Sequence, residues 1–133
     1  MTTETDMAAA LKKFYPKMER IENAIKQGTP DVFLPLHTGW QALELKVEHA
    51  GYLYFQKSQL AFMARTMDLP KPCHTVVLVC VDHEDLYFTL TMEQVLKSPR
   101  EAVTERLVKV RRVDHPYMCR LDELLAHFGS LQV

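Results

Sequence analysis

Cysteine is scarce in this 133-residue chain. The three present (Cys73, Cys80, Cys119) form an odd set with no C-x-x-C spacing, which argues against a disulfide framework. No apolar run approaches the roughly 20 residues that a membrane-spanning helix needs, so no membrane association is expected. A dominant charge is lacking too. With 16 Lys and Arg against 17 Asp and Glu, the net charge is −1. That balance weighs against avid, non-specific nucleic-acid binding, which is driven by phosphate neutralisation. No internal repeat or low-complexity tract is visible. The opening "MTTETDMAAALKKF" starts acidic and has no basic n-region. It does not read as a secretory signal, and a cytoplasmic protein is expected.

What remains is an ordinary globular composition, 47% hydrophobic and 25% charged, in a length that suits one domain with one substantial core. The near-neutral total conceals a local imbalance. From Pro99 to Leu121 there are six basic residues (Arg100, Arg106, Lys109, Arg111, Arg112, Arg120) against three acids (Glu101, Glu105, Asp114).

"TETDMAAALKKFY" reads as a helix, capped by Thr3, with Glu4 and Asp6 at the positive end of its dipole and Pro16 as its stop. "MERIENAI" reads as a short strand. Gly28 permits a turn, Pro30 fixes the chain ahead of "DVFLPL", and Thr38-Gly39 turns it again into the strand "WQALELKV". "HAGYLYFQ" is expected to be a loop with exposed aromatics. "KSQLAFMARTMDL" carries Leu60, Met63, Ala64 and Met67 at helical spacing, with Ser58 as N-cap. "HTVVLVCV" and "LYFTL" form a strand hairpin around "DHED", and "TMEQVLK" starts a helix capped by Thr91. This order implies an α/β fold with helices packed on a central sheet. Residues 1–97 are expected to form the core. In 98–133, "PREAVTERLVKV" and "RLDELLAHF" read as helices, giving a C-terminal helical extension on the core or at a dimer contact.

The chemistry is concentrated between residues 28 and 49. Side chains alternate along a strand, so Leu43, Leu45 and Val47 share one face and Ala42, Glu44 and Lys46 the other. Glu44 and Lys46 then lie about 7 Å apart along the strand. Asp31 opens the preceding strand, with only 12 residues between it and Glu44, so a hairpin can bring both carboxylates to one edge. Mg²⁺ takes oxygen ligands and usually only one or two carboxylates. Asp31, Glu44 and the Leu45 carbonyl are candidate ligands, with Lys46 beside them to orient a water or stabilise charge on a phosphate. Gln59, early in the following helix, is placed to hydrogen-bond a water or a phosphate oxygen. An E-x-K triplet alone is an ordinary solvated strand face, and Asp31 an ordinary turn residue. The combination of G-x-P-D, E-x-K and a helix opening with Gln is much less common.

These residues, "RIENAIKQGTPDVFLP", "WQALELK" and "FQKSQLAFMA", resemble the PD-(D/E)XK nuclease superfamily. The resemblance is to its small stand-alone virus-type replication-repair nucleases (VRR-NUC), often found in phages and related to archaeal-type Holliday-junction resolvases. It spans about residues 4–91 and rests on Pro30-Asp31, Glu44-Leu45-Lys46, and Ser58-Gln59 followed by Phe62. It implies a restriction-endonuclease-like mixed sheet flanked by helices, Mg²⁺ or Mn²⁺ held by Asp31 and Glu44, Lys46 as the catalytic lysine and Gln59 as an accessory polar residue. A further glutamate from the first helix is implied; Glu4 matches it by distance from Asp31, with Glu22 as rival. The implied activity is hydrolysis of DNA, branched DNA above all, by a homodimer without an organic cofactor. The alternative is a nuclease-fold protein that binds nucleic acid or assembles without cutting. The charged tail after Ser98 and the proline-rich "DLPKPCH" depart from the family pattern.

Other constellations are weaker. Cys73-His74 and Cys80-x-x-His83 fit no zinc-finger spacing, and Cys80 alternates with valines as a core residue does. His37 and His49 flank the hairpin and read as loop histidines. "YLYF" suits packing or dimerisation better than base stacking. Lys57, Arg65, Lys71, Arg111 and Arg112 are candidates for phosphate contact.

Overall fold

The computed structural model describes residues 3–21, 28–36, 39–112 and 116–129. Glu22 and His37 lie outside the described residues. Helix α1 (Glu4–Phe14) starts as its sequence predicts. Thr3 Oγ1 accepts from the Asp6 amide at 3.1 Å, and Asp6 Oδ2 accepts from the Thr3 amide at 2.9 Å. This capping box satisfies two amides that the helix itself leaves without partners.

Strands β1 (Glu19–Arg20), β2 (Val32–Leu36), β3 (Gly39–Glu48), β5 (Val76–Val81) and β6 (Tyr87–Thr91) build a five-stranded sheet in the order β1-β2-β3-β5-β6. The pair β3–β5 is parallel and the others antiparallel. A parallel pair needs a long crossover. Here the chain makes it through strand β4 (Tyr52–Gln56) and helix α2 (Lys57–Thr66). Helix α3 (Met92–Lys97) follows β6, capped by Thr91 Oγ1 accepting from the Gln94 amide.

The two faces of the sheet have different covers. On one, Leu34, Leu43, Leu45, Leu78 and Cys80 meet Met7, Ala8 and Leu11 of α1 and Leu121 and Leu125 of helix α4 (Leu121–Gly129). On the other, Val77, Val79, Phe88 and Leu90 meet Leu60 and Met63 of α2, Val95 of α3, and a second, three-stranded sheet. That small sheet has the order β4-β8-β7, with β7 at Arg100–Ala102 and β8 at Leu107–Arg111.

The small sheet corrects two expectations. "YLYFQ" is an edge strand, not a loop, and Leu53 and Phe55 are fully buried while Tyr54 stays exposed. The helix expected across "PREAVTERLVKV" is instead β7, a bend and β8, so among the described residues the extension is helical only in α4. Its residues favour a helix locally, but Val108 and Val110 alternate with Lys109 and Arg111 and close the second core against β4. Tertiary pairing overrides weak propensity here. The strand expected over "MERIENAI" is confined, among its described residues, to Glu19–Arg20, and α2 starts one residue before the expected cap Ser58, with Gln56 as N-cap.

Candidate active site

The even-numbered face of β3 lies beneath the small sheet and α2. Glu44, Lys46 and Glu48 follow one another along it, in register with Val77, Val79 and Val81 of β5. All three charged side chains are buried, Glu44 to 2% exposure and Lys46 to 7%. A solvated strand face is therefore ruled out. An unpaired charge at such depth would cost several kcal/mol, so each must have partners.

Register supplies the first partner. β2 pairs with β3 as far as Val32 opposite Leu43, and Asp31, immediately ahead of this ladder, reaches the Glu44 carboxyl with a side-chain hydrogen bond. The Asp31 backbone is anchored on both sides: its amide donates to the Leu43 carbonyl at 3.0 Å and its carbonyl accepts from the Ile21 amide at 2.8 Å. Its side chain turns into β3, where Oδ2 accepts from the Leu45 amide at 2.9 Å. Leu45 thus takes part through its N–H as well as its place in the strand.

Gln59 supplies the second set. It sits in the first turn of α2, buried, and its amide divides its two ends between opposite charges. Oε1 accepts from Lys46 Nζ at 3.0 Å and from the Gln56 amide at 2.9 Å; Nε2 donates to Glu44 Oε2 at 3.1 Å. The Lys46 ammonium also lies 3.9 Å from Glu44 Oε2, 3.8 Å from Glu4 Oε1 and 4.8 Å from the centre of the Phe55 ring. A cation over an aromatic face is favoured electrostatically. Four sequence candidates (Asp31, Glu44, Lys46, Gln59) and Glu4 are thereby brought together.

Three carboxylates around one ammonium leave negative charge in excess. Glu44 responds by holding its proton: burial above all, then its hydrogen bond to Asp31, push its carboxyl up to about 10, against the opposing pull of Lys46. Glu4, half exposed at the rim, is raised for the same first reason, partial burial, with Lys46 opposing. A buried, oxygen-rich cluster that takes up a proton to limit its charge suits a hard divalent cation in place of that proton. Among the described residues no group of three or more His, Cys, Asp and Glu side chains forms a ready cage for a metal ion. Mg²⁺ does not require one, because it usually keeps several waters and takes only one or two carboxylates.

The basic candidates divide. Lys57 is exposed and lines a cleft of about 390 Å³ with Gln56, Ser58, Glu105 and Arg106. Arg65 and Arg111 are exposed on α2 and β8. Arg112 is not on an open basic face. Its Nε and a terminal nitrogen donate to the two Glu48 carboxylate oxygens at 2.6 and 3.0 Å, and the guanidinium stacks over Phe88 at 5.3 Å. This pair, buried at its Glu48 end, ties the small sheet to the large one. Glu48 escaped the sequence reading although it continues the Glu44, Lys46 alternation; its partner lies 64 residues away, beyond any local signal. Phe55 was missed because its segment read as a loop.

No protein-family model matches the chain, and no curated protein matches it in sequence. Among solved structures it is similar to Hjc from Archaeoglobus fulgidus, a Holliday junction resolvase from an archaeal hyperthermophile. The TM-score is 0.56 at 15% identity, over 94% of this chain and 97% of that one. At that identity the likeness is one of fold: a mixed β-sheet flanked by helices, in the restriction-endonuclease-like α/β class.

Proposed function

We propose that the protein is a divalent-metal-dependent endonuclease of the PD-(D/E)XK type, of the VRR-NUC kind, that hydrolyses DNA phosphodiester bonds. The observation that carries this reading is the hydrogen-bonded set of buried Glu44, Lys46 and Gln59 with half-buried Asp31. A fold needs no such polar set between two apolar layers, and burying it is costly. Asp31 and Glu44, with the Leu45 carbonyl and Glu4 at the rim, would hold Mg²⁺ or Mn²⁺. When bound, such an ion polarises phosphoryl oxygens and acidifies water.

The chain's own groups do the rest. Asp31 and Glu44 fix the position of charge beside the central strand β3. Lys46 presents an ammonium to the oxyanion that develops on phosphorus in the transition state. Gln59 holds that ammonium at one end and Glu44 at the other, so neither needs to reorganise as charge shifts. Lys57, Arg65 and Arg111 offer backbone phosphate contacts outside the site. Branched DNA, in recombination or repair, is the proposed substrate, supported by the fold shared with a Holliday junction resolvase. A homodimer is the matching assembly, since paired cuts need two sites related by a twofold axis. Residues 98–133 are read as an extension of the 1–97 core; the pairing of β8 with β4 supports packing on that core.

The test is to incubate plasmid, linear duplex, single strand and a synthetic four-way junction with the protein and Mg²⁺, Mn²⁺ or chelator. Metal-dependent cleavage, strongest on the junction and abolished by Lys46→Ala with the fold unchanged, is expected. Binding without cleavage in either metal would instead indicate a non-hydrolytic nucleic-acid-binding or assembly protein.

A further inference from the structure

Gly28 precedes the proposed ligand Asp31 by three positions. It is buried and has φ +89°. A Cβ at this position would lie 2.3 Å from the Ser58 carbonyl oxygen, 2.6 Å from its carbon and 3.2 Å from the Gln59 amide nitrogen. The obstacles are backbone atoms in the first turn of α2, so no change of rotamer could relieve the clash. Close approach of one backbone to another is a use that glycine alone serves. Between this contact and Asp31 stand only Thr29 and the buried Pro30, whose ring fixes φ. Asp31 itself is anchored to the Leu43 carbonyl and the Ile21 amide. The segment is thus a short strut, one end on the turn that carries Gln59 and the other on the first carboxylate.

We propose that Gly28 is a positioning residue for the site. By letting its backbone lie directly on Ser58, it sets the separation between α2, with Gln59 and the ammonium Gln59 holds, and the Asp31–Glu44 pair. The catalytic consequence rests on the nuclease reading; the geometric one does not. Gly51 provides a matched comparison. Its φ of +85° makes an alanine equally strained, but a Cβ there would meet nothing within 4 Å. Substituting each glycine by alanine therefore separates backbone strain from loss of the contact.

Both variants are first checked for folding by circular dichroism, then assayed on the DNA that wild type cleaves. Gly51→Ala is expected to lose stability but keep its kcat. Gly28→Ala is expected to lose about 10- to 100-fold in kcat, the scale of an ångström-level misplacement, with KM little changed. Because Gly28 acts through Gln59, adding Gly28→Ala to Gln59→Leu should have little further effect. Equal kcat in the two glycine variants, or full additivity with Gln59→Leu, overturns the proposal. If Gly28→Ala does not fold, Pro30→Ala decides: it loosens the strut without adding an atom and should lower kcat roughly three- to tenfold, the lower end of that misplacement scale. An unchanged kcat there overturns the proposal. A readout independent of cleavage is the exchange of the Gln59 side-chain amide protons by NMR, slow in wild type and Gly51→Ala and fast in Gly28→Ala or, failing that, in Pro30→Ala. Slow exchange in the strut variant overturns the proposal. Wild-type protein inert towards every DNA with either metal defeats the nuclease reading, and the amide signal then decides the role of Gly28.

Discussion

Glu44→Gln should make the metal-free protein more stable at neutral pH. In the fold the Glu44 carboxyl is held up to about 10, chiefly by burial, whereas its ordinary value is 4.5. At pH 7 the side chain is therefore ionised in the unfolded chain and protonated in the native one, so folding takes up a proton. For a group raised in the native state, the stability it contributes is full below the unfolded value and is lost as pH rises towards the folded one. From 4.5 to 7 the loss accumulates at 1.36 kcal/mol per unit, or about 3 kcal/mol. The size of this gap at pH 7 depends on the unfolded value, because the folded value lies far above 7. Glutamine is the neutral isostere: its carbonyl can accept from Gln59 Nε2 and its amide can donate to Asp31. Urea unfolding with chelator at pH 5 and pH 7 measures the difference. Glu44→Gln should exceed wild type by about 3 kcal/mol at pH 7 and by about 1 kcal/mol or less at pH 5. Saturating Mg²⁺ should stabilise wild type by mass action and leave the variant unmoved. A variant less stable than wild type at pH 7, or a difference that does not change with pH, would refute the account of a proton-holding carboxylate cluster.

Two further outcomes follow from the buried polar groups. Arg112→Ala leaves the Glu48 carboxylate buried without its bidentate partner and should cost about 3–5 kcal/mol in urea unfolding, while Glu48→Leu with Arg112→Met should recover most of it. A loss under about 1 kcal/mol would mean the pair behaves as an exposed one. Gln59→Leu removes the acceptor shared by Lys46 Nζ and the Gln56 amide, and should destabilise by about 1–3 kcal/mol for each group left unpaired. The same variant should cut DNA about 10- to 100-fold more slowly through misplacement of Lys46.

Much of the large sheet was legible because its signals are local. The alternation in "WQALELKV" separates Leu43 and Leu45 from Glu44 and Lys46, and Thr3 and Thr91 mark helix starts through hydrogen bonds three residues long. The juxtaposition of Asp31 with Glu44 needed only the hairpin register. The small sheet was not legible in the same way. β4 and β8 stabilise each other across more than fifty residues, and neither is a persuasive strand until the other is present. Burial of the Glu44–Lys46 face followed from that same pairing, so the sequence offered a choice between a solvated face and a site, and only the cover contributed by Phe55, Val108 and Val110 decided which charges lie inside. The Glu48–Arg112 pair and the Gly28–Ser58 approach are products of distant packing with no periodic trace.

The central claim is that the cluster around Glu44 cuts phosphodiester bonds with a divalent metal. The most direct measurement is nicking of supercoiled plasmid by wild type and Glu44→Gln at equal concentration in Mn²⁺ at pH 7, with both proteins shown to be folded. The account predicts metal-dependent cleavage by wild type and none by Glu44→Gln, even though the variant is the more stable protein when both are free of metal. Cleavage by Glu44→Gln at the wild-type rate, or cleavage by wild type that survives chelation of the metal, would contradict it.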